Sequence, residues 1–326
     1  MTRRTTLAGA SAVVAGAAAT SGPAVAAVPQ AEGQAPGFYR YRVGDIQVTA
    51  VTDGVNTFTV PDGFVANATK AQIGDALAAA YLDREVLSVP YTPVVLNTGS
   101  RVVVIDTGTG EANLAASKGA AGQFLRNLGA SGIKPGDVDT VVISHFHGDH
   151  VNGLLGQDGK LAFPNAEVLV PQVEWAFWMD DGEMSRAPKG RMEGLFKNNR
   201  RVFDAIGRKV TPYEWDREIV PGLLAVGTPG HTPGHTSYVL SSGSSRVFIQ
   251  SDVTNHPALF ARNPGWHASY DQDGPAAEAT RRKTYDMLVA ERMPVQGFHY
   301  PFPGLAHLEK TSTAYREVPR PWMPVI

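Results

Sequence analysis

The 326-residue chain has no cysteine. That removes disulfides and thiolate ligands together, so any bound metal must be held by nitrogen and oxygen donors. Charge of one sign is also lacking: 29 Lys and Arg stand against 31 Asp and Glu, a formal net charge of −2. With no basic stripe either, no nucleic-acid partner is expected. No segment has enough uninterrupted apolar residues to span a bilayer stably, so stable membrane insertion is not expected. What is present, 43% apolar and 18% charged residues, is ordinary for a globular protein. The length allows one large domain or two small ones.

Within that unremarkable background one stretch stands apart. A mostly apolar run from Val138 to Ile143 ends abruptly in Ser144-His145-Phe146-His147-Gly148-Asp149-His150, so a buried strand is predicted to carry three imidazoles and a carboxylate at its tip. If the backbone stays extended, His145 and His147 point their rings to one side. Gly148 then lets the chain turn and present Asp149 and His150 nearby. A histidine-rich surface loop is the competing reading, but such loops rarely follow so apolar a strand. More donors lie downstream: His231 and His235 in Thr228-Pro229-Gly230-His231-Thr232-Pro233-Gly234-His235, Asp252 after an apolar strand, and His299 after the last helix.

In chain order, Arg3-Arg4 followed by an Ala/Gly-rich run and small residues near Ala27 resembles a twin-arginine export signal, giving a leader over 1–27 and an exported protein. Residues 28–37 read as a Pro/Gly/Gln linker, and 38–326 as the folded domain. Hairpins are predicted for Phe38–Val43 with Ile46–Val51 and for Thr92–Asn97 with Arg101–Asp106. The glycine-rich Asp106–Gly110 segment lacks the lysine and spacing of a phosphate loop and reads as a tight turn near the site. Helices are predicted over Ala71–Tyr81, Leu114–Leu128 with breaks at Gly119 and Gly122, Gln172–Met179, Met192–Ile206 and Pro275–Ala290. Strands cluster in each half with helices after and between them, which fits a layered α/β sandwich.

Taken in order, H-x-H-x-D-H followed by single His, Asp and His resembles the metallo-β-lactamase superfamily over nearly all of 38–326. The resemblance implies an αββα four-layer sandwich and two divalent metal ions. His145, His147 and His231 would bind one, Asp149, His150 and His299 the other, and Asp252 would bridge them, with His235 supporting the loop. Zinc is the default for such a donor set, with Mn, Co and Fe as alternatives. His256, His267 and His307 have no place in the pattern and read as structural or surface residues.

The chemistry implied is hydrolysis by a hydroxide held between two metals, with Asp149 or a metal helping the leaving group depart and Asp252 the other catalytic carboxylate. The segment Asp252–Trp266 with His299–Pro303 is most similar to the methyl-parathion-hydrolase-like branch, so small apolar esters, lactones and organophosphate triesters are the expected substrates. Lactonases of the family often have tyrosine three residues after the bridging aspartate; here that residue is Asn255. Trp175, Trp178, Phe196 and Asn255 are candidates for the substrate pocket, packing in the core being the competing role for the three aromatics. A β-lactamase and a non-catalytic metal-binding protein that keeps the fold are the alternatives. A small molecule is the expected partner, and a homodimer stays open.

Overall fold

The computed structural model describes residues 28, 30, 31 and 33–326, so the leader expected over 1–27 lies outside the described residues. The first expected hairpin forms as β1 (Phe38–Val43) and β2 (Ile46–Val51), antiparallel with Phe38 opposite Val51. The next two strands were not expected. β3 (Gly54–Thr59) and β4 (Val86–Tyr91) pair only with each other, with helix α1 (Lys70–Ala78) between them. Thr69 caps α1 by accepting the Gln72 N–H while the Gln72 side chain returns to the Thr69 N–H.

The chain then re-enters the main sheet through β5 (Val94–Asn97) and β6 (Val102–Ile105). The helix expected over Leu114–Leu128 is two separate pieces, α2 (Asn113–Ala116) and α3 (Phe124–Ala130). Gly119 and Gly122 between them have positive φ, which ends one piece before the other starts. After β7 (Thr140–Val142), α4 (Gly148–Val151), β8 (Glu167–Pro171), α5 (Gln172–Trp178), α6 (Asp181–Arg186) and α7 (Arg191–Ile206), β9 (Val210–Tyr213) completes a seven-stranded sheet ordered β1-β2-β5-β6-β7-β8-β9. The second sheet also has seven strands. It runs β10 (Glu218–Val220), β11 (Leu223–Gly227), β12 (Thr236–Ser242), β13 (Ser245–Ser251), then, past α8 (Pro257–Phe260) and α9 (Gly274–Glu291), β14 (Val295–Gly297), β15 (Leu305–Lys310) and β16 (Tyr315–Pro319).

Side-chain alternation explains the layers. Along the first sheet Val103, Ile105, Val142 and Leu169 join Leu223, Ala225, Leu240 and Ile249 of the second sheet in one buried cluster between the sheets. Their neighbours Val104, Val141, Val168 and Val170 face the other way and pack on Phe124, Leu128, Trp178, Phe203 and Ile206 of the helices. Strands buried on both faces read as continuous apolar runs, which is why they were legible. On the far side of the second sheet Tyr285 and Leu288 of α9 cover Phe248, Val295 and Ala306. The result is the expected order of helices, sheet, sheet, helices. Each fully buried apolar side chain contributes roughly 1.5–3 kcal/mol, so Phe203→Ala in α7 would open both a helix and a sheet face.

Candidate metal centre

All seven predicted donors converge at the ends of strands. His145 and His147 follow β7, Asp149 and His150 lie in α4, and His231 sits in the loop from β11 to β12. Asp252 and His299 follow the parallel neighbours β13 and β14. The turn at Gly148 differs from expectation: this glycine has no positive φ but starts the short helix α4, so a helical turn presents Asp149 and His150. Glycine freedom matters instead at 230 and 234. Gly230 has a φ of 128°, and a Cβ on it would lie 2.2 Å from Ala277 N; one on Gly234 would lie 2.2 Å from Glu174 N. These close approaches clamp the His231 loop between α5 and α9.

Two triads result. His145, His147 and His231 bring Nε2, Nδ1 and Nε2 together, with separations of 3.1 Å from His145 to His147 and 2.9 Å from His147 to His231. Asp149, His150 and His299 form the other, with Asp149 Oδ2 3.6 Å from His150 Nε2 and 3.4 Å from His299 Nε2. Asp252 lies between them. Its Oδ2 is 3.3 Å from His231 Nε2 and 3.0 Å from His299 Nε2, while its Oδ1 is 3.3 Å from His150 Nε2.

Four of the five imidazole donors are held from behind, mostly by groups that sequence reasoning did not single out. Asp106 accepts from the Ser144 N–H and hydroxyl and pairs with His150 Nδ1 at 2.8 Å. His231 Nδ1 meets Asp271 Oδ1 at 2.8 Å, His299 Nδ1 meets the Pro90 carbonyl at 2.8 Å, and His145 Nδ1 lies 3.0 Å from Ser144 Oγ. Such partners fix the orientation and tautomer of a ligand imidazole. His235 accepts from the Asp252 N–H at 3.0 Å through Nε2, the supporting place expected for it. Glu174, fully buried in α5, accepts from Phe146 N–H, Gly234 N–H and Trp178 Nε1–H, tying the β7 tip to the His231 loop. Asp106 and Ser251, which end β6 and β13 beside the site, both sit in the left-handed region at φ 58° and 48°. Such strain persists only where the surroundings over-determine it.

The donor set fits a pair of cations. Three imidazole nitrogens pointing at one place cannot all be satisfied by one another's protons. His150 Nε2 and Asp252 Oδ1, 3.3 Å apart and buried, make no hydrogen bond among the described residues, as expected of groups oriented toward an ion. Burial, reinforced by neighbouring imidazoles, pushes His145 and His147 well below the usual histidine range, leaving lone pairs free. Burial opposes charge on His150 and His299 too, but Asp252 and Asp149, joined by Asp106 at His150, outweigh it and hold both above that range. His256, buried outside the cluster, is pushed down to about 4 by burial, and His267 pairs with Glu278.

A cavity of about 310 Å³ opens above the triads. Phe58, Phe64, Val89 and Leu195 make its apolar wall, while Tyr91, Asn255, Tyr270 and Arg191 supply polar groups. Asn255 is thus where expected. Trp175, Trp178 and Phe196 are not among its lining residues. Trp178 and Phe196 are fully buried with ring centroids 4.7 Å apart, and Trp175 packs edge-on against Phe203. Their spacing on α5 and α7 points them into the layer beneath, so the core role is the correct one. Phe58 and Val89 of the β3–β4 ribbon, with Phe64 and with Leu195 of α7, supply the wall they were expected to form.

A profile of the metallo-beta-lactamase superfamily matches residues 89–289. The chain belongs to this superfamily. Among curated members, an N-acyl homoserine lactonase of Bacillus cereus is 28% identical over 178 residues, which are 50% of this chain and 63% of that protein. The AttM N-acyl homoserine lactonase of Azorhizobium caulinodans is 33% identical over 43% of this chain and 51% of its own length. The matches therefore span under two thirds of these superfamily relatives. Among solved structures, the hydrolase AbOPH superposes with a TM-score of 0.81 at 27% identity, over 89% of this chain and 100% of that one. AidC, a dizinc quorum-quenching lactonase, gives 0.81 at 23% identity over 88% and 98%. These neighbours share the αββα sandwich.

Proposed function

We propose that this superfamily member is a binuclear metal-dependent hydrolase that opens lactones and small esters carrying an apolar arm. The observation that supports it most is the pair of donor triads joined through Asp252 at the base of a cavity with one apolar wall. Homology to lactonases favours lactones over phosphotriesters, despite the Asn255 departure. When bound, two divalent ions, zinc by default for this nitrogen and oxygen set, supply Lewis-acid polarisation and a water of lowered pKa.

The chain's own residues do the rest. Phe58, Phe64, Val89 and Leu195 hold the apolar arm and keep bulk water out. Asp149, with its side chain 24% exposed against 3% for Asp252, faces the cavity and is the carboxylate placed to hold a proton for a departing alkoxide. Asn255 offers a buried amide oxygen without a donor partner, suited to an N–H on the substrate. Screening metal-quantified protein against lactones, aryl esters, phosphotriesters and a chromogenic β-lactam tests this reading. Lactones are expected to rank first and the β-lactam to be untouched; β-lactam turnover without lactone turnover would overturn it.

A further inference from the structure

Tyr270 has a place in this chamber that the metal donors do not explain. It lies in the turn before α9, and its ring is held on three sides. Phe64 meets it edge-on at 5.8 Å, the His231 ring meets it at 5.7 Å, and the Arg191 guanidinium lies 5.8 Å from its centroid. Its phenol oxygen is nonetheless buried without a hydrogen-bond partner among the described residues. A buried hydroxyl left unpaired destabilises a fold, and such groups are rare unless something completes them. Phe64, Arg191, His231 and Asp252 line the cavity with it, yet no group among the described residues takes its proton. A ligand in the cavity is placed to bring that acceptor.

We propose that Tyr270 is a catalytic residue whose phenol donates a hydrogen bond to the acyl oxygen of the bound ester or lactone as negative charge develops there. The assignment rests on the hydrolase reading above. An ester or lactone brings a carbonyl oxygen, an acceptor that gains charge when the carbonyl is attacked. A donor fixed in advance by three neighbouring rings and cations stabilises that charge without reorganising. The cation over its ring draws density from the phenol and strengthens it as a donor. No proton changes hands in this role: the O–H bond stays intact, and the alkoxide's proton comes from elsewhere.

Tyr270→Phe keeps the ring and removes only the hydroxyl. With metal content matching wild type, kcat for a lactone is expected to fall roughly a hundredfold, the scale of losing one oxyanion donor, with KM little changed. Tm is expected to stay the same or rise, because no partner is orphaned when an unpaired hydroxyl is deleted. A structural hydroxyl would behave oppositely, lowering Tm on removal. Unchanged kcat in Y270F beside an active wild type, or Tm falling with activity, would overturn the role while leaving the hydrolase reading intact. A fully metal-loaded wild type that turns over no ester or lactone would overturn both.

Discussion

The floor and the wall of the chamber are built on different principles. On the floor every metal donor sits at the end of a core strand or in the turn that follows, and most are gripped from behind by a buried acceptor such as Asp106, Asp271 or the Pro90 carbonyl. Apart from Asp149 these donors are almost fully buried. The wall is assembled from a two-stranded ribbon, the first turns of α7 and the turn before α9, none of which belongs to the main sheets. The floor is over-determined and the wall is not. On the proposed reading, the chemistry is anchored in the core, while selectivity rests on pieces that can change without disturbing it.

Perturbing floor and wall in turn separates their roles. Asp252→Ala removes the group shared by both triads and is expected to cost 10²–10³-fold or more in kcat, on the order of losing a preorganised catalytic charge, with loss of bound metal measured alongside. Full activity would mean the floor is not the reactive centre. Asp271→Asn leaves every donor in place but loosens His231, so metal affinity or activity should fall by about 10–100-fold. A change below twofold would show that the grip from behind is dispensable.

Protons compete with metal at the two triads unequally. Neighbouring carboxylates hold His150 and His299 above the usual histidine range, so near neutrality a cation must displace their protons, whereas burial keeps His145 and His147 neutral. Metal affinity of the Asp149–His150–His299 position should therefore rise with pH and its loading release protons, measurable by calorimetry in buffers of different ionisation enthalpy. Proton-free loading at both positions would contradict this asymmetry.

Smaller effects belong to the wall. Phe58→Ala is expected to lower kcat/KM about tenfold for a long acyl chain, in line with roughly 0.8 kcal/mol per buried methylene, and to leave a two-carbon acyl group nearly unaffected. Equal losses for both chains would remove Phe58 from the wall. Trp178→Phe should leave the ranking of substrates unchanged, while losing the Glu174 hydrogen bond costs about 1–2 kcal/mol of stability; an altered ranking would return α5 to the pocket.

The floor was largely legible because its signal is local. An apolar strand that stops at His145-Phe146-His147-Gly148-Asp149-His150 states both burial and chemistry within a dozen residues, and β13 ending at Ser251-Asp252 repeats the form. Asp106, at the end of β6, carried the same signal and was read only as part of a turn. Glu174 could have been noticed as a lone acid among aromatics on α5. The wall left no such trace. Pairing of Gly54–Thr59 with Val86–Tyr91 spans a helix, and Tyr270 and Asp271 sit in a turn whose relation to His231 exists only after folding. Trp175, Trp178 and Phe196 misled because large aromatics carry the same signal whether they line a pocket or fill a core.

On the proposed reading two cations on this floor make one reactive centre. The most direct test is to strip the protein with a chelator and add back zinc while following metal content and lactone hydrolysis on the same sample. Negligible activity is expected in the stripped protein, restored as metal is added and reaching its plateau at two ions per chain. Undiminished hydrolysis by protein verified free of metal would contradict it.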